Sequence, residues 1–163
     1  MDKRATLAAL AMIVVGLGTF VYLMGSTKVG VSVGDKALEI TFDTLDGSSF
    51  KLSDQRGKLV IVDFATTACP YCIEEFKALQ ELAKRPGLIV VTVNLDDSNS
   101  TYLASFAADN GVYWRVGASI EAGIDYKIDG VPTLVLVDKS GVIRYRDYYT
   151  SLDALNGMLA RYG

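Results

Sequence analysis

The chain has 163 residues, 16 Lys and Arg against 19 Asp and Glu, no histidine, and a formal charge of −3. Its charges are scattered and no basic run is present to neutralise a phosphate backbone, so nucleic acid is not an expected partner. The absence of imidazole removes the commonest metal ligand and the usual general base near neutral pH, which leaves sulfur, carboxylates and hydroxyls for any chemistry.

After Met1-Asp2-Lys3-Arg4 the sequence is uncharged from Ala5 to Gly25 (ATLAALAMIVVGLGTFVYLMG). At about 1.5 Å per helical residue, this run spans the roughly 30 Å hydrocarbon core of a bilayer. It exceeds the ~7–15-residue apolar region of a cleaved signal peptide. Residues 1–25 are therefore expected to form one N-terminal transmembrane helix, with a signal peptide as the alternative. A basic start followed at once by an apolar run has the form of an export signal. That places the rest of the chain on the extracytoplasmic side, where a dithiol can cycle through a disulfide. Residues 26–36 (STKVGVSVGDK) are small, polar and aperiodic and read as a linker. Residues 37–163 have a common size for one domain with one core.

EITFDTLDGSSFKLSD alternates apolar and polar residues on both sides of Asp46-Gly47, which predicts a β-hairpin. KLVIVDFA, residues 58–65, reads as a central strand buried on both faces and interrupted only by Asp63. From Cys69 the spacing becomes helical, with Ile73, Phe76, Leu79 and Leu82 on one face before Pro86-Gly87. LIVVTVNL, residues 88–95, reads as a second buried strand, STYLASFAADNG as a second helix and residues 119–128 as a short third. TLVLVD from Thr133, the Lys139-Ser140-Gly141 turn and VIRYRDYY predict strand, turn and strand. Leu152, Leu155 and Leu159 mark a closing helix. The order predicts an α/β fold with a central mixed β-sheet flanked by helices, parallel at its core.

The only two cysteines stand in ATTACPYC, residues 65–72. A structural zinc needs four ligands, and this chain offers two thiolates without imidazole, so no metal is expected. A bridge closing so short a loop stabilises little. The spacing suits redox chemistry. With Cys69 as N-cap, Pro70 takes the first helical position, where its missing N–H costs nothing. The helix N-terminus favours an anion and populates the Cys69 thiolate. Cys69 is then the attacking sulfur and Cys72, within one turn, the resolving one. Asp63, six residues earlier in an apolar strand, reads either as a strand-end carboxylate at a water-filled gap or as a buried acid–base group serving Cys72. Val131-Pro132-Thr133 precedes the TLVLVD strand, and Pro132 is open to an edge, turn or cis reading.

Together, VDFATTACPYC before a helix and GVPTLVLVDKSG resemble the active-site loop and the proline segment of the thioredoxin superfamily. The N-terminal apolar run, the hairpin in VGDKALEITFDTLDGSSFKLSDQRGK and the extra segment from Asp96 to Val116 are similar to its membrane-anchored TlpA/ResA-like branch, related to the AhpC/TSA–Redoxin group. The resemblance implies a thioredoxin-like fold with an N-terminal β-hairpin extension and a thiol-disulfide oxidoreductase. Cys69 would be the exposed nucleophile, Cys72 the buried partner, Asp63 the buried acid and Pro132 a cis proline. Val131 would offer its backbone to an extended substrate segment next to Pro70 and Tyr71. No cofactor beyond the Cys69–Cys72 couple is implied. The implied partners are protein thiols and disulfides and an upstream redox protein. The sequence departs from the family where tryptophans are usual, with Ala65 and Ala68, and where thioredoxin has a lysine, with Thr92. Two alternatives are a peroxiredoxin-like thiol peroxidase, for which Thr66 stands three residues before Cys69, and a metallochaperone or binding module without catalysis.

Overall fold

The structure, a computed structural model, describes residues 28–162; the anchor expected over residues 1–25 lies outside them. The described elements are β1 (Val29–Gly30), β2 (Lys36–Ala37), β3 (Thr41–Asp43), β4 (Ser49–Lys51), a 3-10 turn (Leu52–Gln55), β5 (Leu59–Ala65) and α1 (Pro70–Leu82). They continue with β6 (Leu88–Asn94), α2 (Ser100–Asp109), β7 (Arg115–Ala118), α3 (Ile120–Asp125), β8 (Thr133–Val137), β9 (Ile143–Asp147) and α4 (Leu152–Tyr162). Among these described residues no helix is long and apolar enough to cross a membrane.

Every residue of β5 is buried, as its nearly unbroken apolar run requires of a strand covered on both faces. It lies at the centre of a five-stranded sheet in the order β7-β6-β5-β8-β9. β5, β6 and β7 run parallel, while β8 and β9 are antiparallel to their neighbours, so the sheet is mixed with a parallel core. Strand alternation sorts the side chains into two layers. Val60, Val62 and Phe64 enter one cluster with Phe42, Phe50 and Tyr126 from the hairpin and the end of α3. Leu59, Ile61 and Ala65 enter the other, with both cysteines, α1 and α4. Asp63 has the parity of this second layer.

The hairpin forms as predicted, with β3 and β4 antiparallel and Gly47 at φ 81° in its turn. It closes over one end of the sheet: the Leu45 N–H donates to the Val116 carbonyl at 2.8 Å, and Thr44 bridges to Gly117. A Cβ on Gly117 would come within 2.3 Å of the Asp43 carbonyl oxygen, so this contact requires glycine.

Three features differ from the sequence expectations. The segment read as a linker folds back on itself, with the Lys36 N–H donating to Lys28 O, and is hydrogen-bonded to β9 and the turn before it, with the Gly34 N–H donating to Ile143 O and the Ala37 N–H to Gly141 O. Its short strands are held by backbone bonds that need no apolar pattern. β7 falls where only the extra segment was expected, because a four-residue strand with one Val and one Gly has too little periodicity to read. The buried face of α1 comprises Cys72, Glu75, Phe76, Leu79 and Leu82, with Ile73 only half-buried. A carboxyl thus sits where the helical pattern was read as purely apolar.

Candidate active site

The loop Thr66–Ala68 leaves the central strand β5 and is tied down by Asp96, which follows β6. The Thr67 N–H and hydroxyl donate to Asp96 Oδ2 at 2.6 and 2.8 Å, and the Asn94 side-chain amide donates to Oδ1 at 2.8 Å. Burial opposes its charge, but these donors outweigh it and hold the Asp96 carboxyl well below the usual range. The loop then delivers Cys69 as the N-cap of α1, with Pro70 opening the helix.

Cys69 and Cys72 are disulfide-bonded, their Cα atoms 5.3 Å apart. Cys69 is 7 % exposed and Cys72 fully buried, so only Cys69 presents an edge to a partner. The Cys72 N–H donates to Cys69 Sγ at 3.1 Å. The same amide, with the positive end of the helix, is placed to stabilise a Cys69 thiolate when the bond is open.

Beneath the pair, Asp63 on β5 and Glu75 on α1 are both fully buried. Glu75 follows Cys72 by three residues and so occupies the neighbouring position on the same helix face. The Thr92 hydroxyl donates to Asp63 Oδ2 at 2.8 Å and in turn accepts from Trp114 Nε1 at 2.9 Å. The Thr150 N–H donates to Glu75 Oε1 at 2.6 Å. Among the described residues Asp63 Oδ1 and Glu75 Oε2 have no hydrogen-bond partner. Burial raises the pKa of Asp63, against the lowering effect of the Thr92 hydroxyl; burial and then the Asp63 charge raise that of Glu75. Two buried carboxyls that act on each other cannot both ionise cheaply, so the pair retains a proton where free carboxyls have lost theirs. Such a pair holds a proton near neutral pH and still has a carboxylate free to take another.

The Val131–Pro132 peptide is cis. Val131 packs against the cluster that contains both cysteines. Tyr71 is exposed between the cysteines, and it shares an open groove with Val131, Pro132, Tyr148 and Tyr149. The structure thus brings Cys69, Cys72 and Asp63 into one layer, and Val131, Pro132 and Tyr71 onto one groove. Pro70 is the exposed first residue of α1. Sequence reasoning missed Glu75, Thr150 and Asp96. The spacing of Glu75 from Cys72, Phe76 and Leu79 is compatible with the buried face, but a glutamate on a helix does not by itself show which way it faces; the others act through backbone contacts and loop closure. No group of three or more His, Cys, Asp or Glu suited to a metal occurs among the described residues.

The Redoxin family model matches residues 32–156. The thioredoxin-like protein YneN of Bacillus subtilis is 31% identical over 142 residues, covering 83% of each chain. The thiol-disulfide oxidoreductase ResA of Geobacillus kaustophilus is 28% identical over 143 residues, 84% of this chain and 82% of that one. The crystal structure of the thioredoxin domain of a thiol-disulfide oxidoreductase from Bacteroides vulgatus superposes with a TM-score of 0.73 at 25% identity, covering 82% of this chain and all of that one. With the family match spanning the sheet, the cysteine pair and the cis proline, this chain belongs to the Redoxin family and, by these relatives, to its thioredoxin-like, ResA-like branch.

Proposed function

We propose that the protein is a thiol-disulfide oxidoreductase whose working parts are Cys69, Cys72 and the buried Asp63–Glu75 pair, acting on protein thiols and disulfides. The observation that carries this is the Cys69–Cys72 disulfide at the start of α1, directly followed on the same helix face by a buried carboxyl. In the reducing direction, the Cys69 thiolate attacks one sulfur of a substrate disulfide and the other leaves as a thiolate. The Cys72 thiol gives its proton to the carboxylate of the pair. The new thiolate attacks Cys69 Sγ, the substrate's second sulfur leaves, and the protein disulfide is restored. Two electrons pass to the substrate, and no cofactor beyond the cysteine couple is needed. Run backward, the same steps oxidise a dithiol.

The apolar run at residues 5–25 supports an anchored protein whose redox domain works on the extracytoplasmic side. Its substrates would then be exported or membrane-associated proteins and its redox supply an upstream dithiol protein.

The test is to equilibrate the purified chain in glutathione and dithiothreitol buffers and trap free thiols. A reversible two-electron couple is expected. A potential near roughly −270 mV would make it a reductant and one near roughly −120 mV an oxidant. Failure to form a reversible Cys69–Cys72 disulfide would sink the assignment.

A further inference from the structure

Three exposed tyrosines line one groove, the first of them standing between the cysteines: Tyr71 at 69 %, Tyr148 at 52 % and Tyr149 at 51 %. They flank a groove of about 720 Å³ whose floor is Gly130-Val131-Pro132. Large aromatics left in water on both sides of one groove are costly unless something covers them.

Within the wall formed by Tyr148 and Tyr149, Tyr148 is fixed from behind. The Tyr148 hydroxyl donates to Asp129 Oδ1 at 2.9 Å. Its ring lies against Gly130, where an added Cβ would sit 3.0 Å from Cε1. Its carbonyl accepts from the Thr150 hydroxyl at 2.8 Å, and the Thr150 N–H is the donor to buried Glu75. A wall held in place before binding avoids the entropy of ordering it on binding.

The floor suits an extended chain. Among the described residues neither the N–H nor the C=O of Val131 has a hydrogen-bond partner, so both are open to a neighbouring strand. The groove borders the exchange site through two residues, since Tyr71 stands between the cysteines and Val131 packs on their cluster. A segment whose cysteine reaches the narrow exposed edge of Cys69 lays its adjoining residues between the tyrosines. The carboxylates at this groove, Glu74 on its lining and Asp129 behind Tyr148, disfavour an acidic neighbour there.

Resting on the oxidoreductase reading, we propose that Tyr71, Tyr148 and Tyr149 determine substrate choice, selecting extended protein segments that carry a bulky apolar side chain within two residues of the reacting cysteine. Each substrate disulfide consumed takes two electrons from the Cys69–Cys72 dithiol, releases two thiols and leaves the protein disulfide.

The experiment uses the reduced full chain and disulfide-linked homodimers of two short peptides that differ only in Phe or Gly beside the cysteine. The Phe dimer is expected to react with a second-order rate constant about tenfold higher, the scale of one well-placed aromatic contact. In Tyr149→Ala the ratio is expected to fall toward one, and in Tyr149→Phe to be kept. Equal rates for the two dimers in the unaltered chain would overturn the selection and leave the oxidoreductase reading standing. A preference that survives in the folded Tyr148→Ala, Tyr149→Ala double variant would overturn the assignment to this wall. No reaction with either dimer or with hydroxyethyl disulfide would overturn both readings.

Discussion

Glu75 stands on the buried face of α1 one turn beyond Cys72, and its charge is opposed both by burial and by Asp63. In Glu75→Gln the pair loses a proton site while the Thr150 N–H keeps an oxygen to donate to. The step in which Cys72 resolves the mixed disulfide is expected to slow by about 10²-fold at pH 7, the lower end of what a positioned acid–base group supplies. The attack by Cys69, assisted by the helix end, should change little. Stopped-flow measurement of the two steps across pH 5–9 checks this, and equal slowing of both would remove Glu75 from proton transfer. Asp63 was legible because a charge inside an apolar β-branched strand breaks an obvious rule. Glu75 was not, because helices carry glutamates routinely, and only the three-dimensional register of α1 on the sheet shows that this one faces inward.

At the scale of elements, the N-terminal hairpin and β7 depend on each other. Gly117 lets the Asp43 carbonyl and the Phe42 ring come into direct contact with the β7 backbone. Gly117→Ala forces these groups apart and is expected to destabilise the fold by about 3 kcal/mol, the scale of overpacking in a filled interior. Urea denaturation measures it, and a loss below about 0.5 kcal/mol would show that the hairpin is only loosely seated. The hairpin itself was readable from alternation around Asp46-Gly47, whereas its docking partner was not. A strand as short as Arg115–Ala118 carries no period, and its identity comes from pairing with Val91–Asn94. The same holds for residues 28–37, whose polar, Gly-containing sequence reads as a linker while its backbone amides bond to the β8–β9 turn and β9.

For the whole molecule, opposing carboxyl shifts set the response to pH. Asp63 and Glu75 keep protons in the folded state that the unfolded chain releases at ordinary carboxylate values near about 4. Stability from these two groups is therefore greatest in acid and falls as pH rises from there through their raised folded values. Asp96 and Asp138 are held low by hydrogen bonds that outweigh burial, and Asp46 by hydrogen bonds from Thr44 and Ser48. Their contribution is present above the ordinary carboxylate value and is lost as pH falls through the lowered ones. Together these groups favour the fold most in acid, in the ordinary carboxylate range of about 4, with a decline toward pH 8. Asp63→Asn should flatten that decline and raise stability at pH 8 by on the order of 2 kcal/mol. Thermal melts from pH 3 to 9 on both proteins test this, and parallel curves would show that Asp63 titrates normally.

What the linear chain determined by itself was what depends on local pattern. Alternation, helical spacing and turn residues specified the hairpin, the buried strands, the helices and a mixed sheet, and the C-x-x-C spacing with Pro70 at the first helical position specified a redox pair at a helix start. These follow from side-chain period and backbone preference over a few residues, which act before the chain is folded. What only the tertiary structure decided was the company those residues keep. Glu75 meets Asp63, Thr150 meets Glu75, Asp96 holds the cysteine loop, and Tyr148 lies over Gly130 next to the cis proline. Each joins segments distant in sequence, and each takes its chemical character from burial and from partners that exist only once the sheet has brought both helix layers and the β9 turn together.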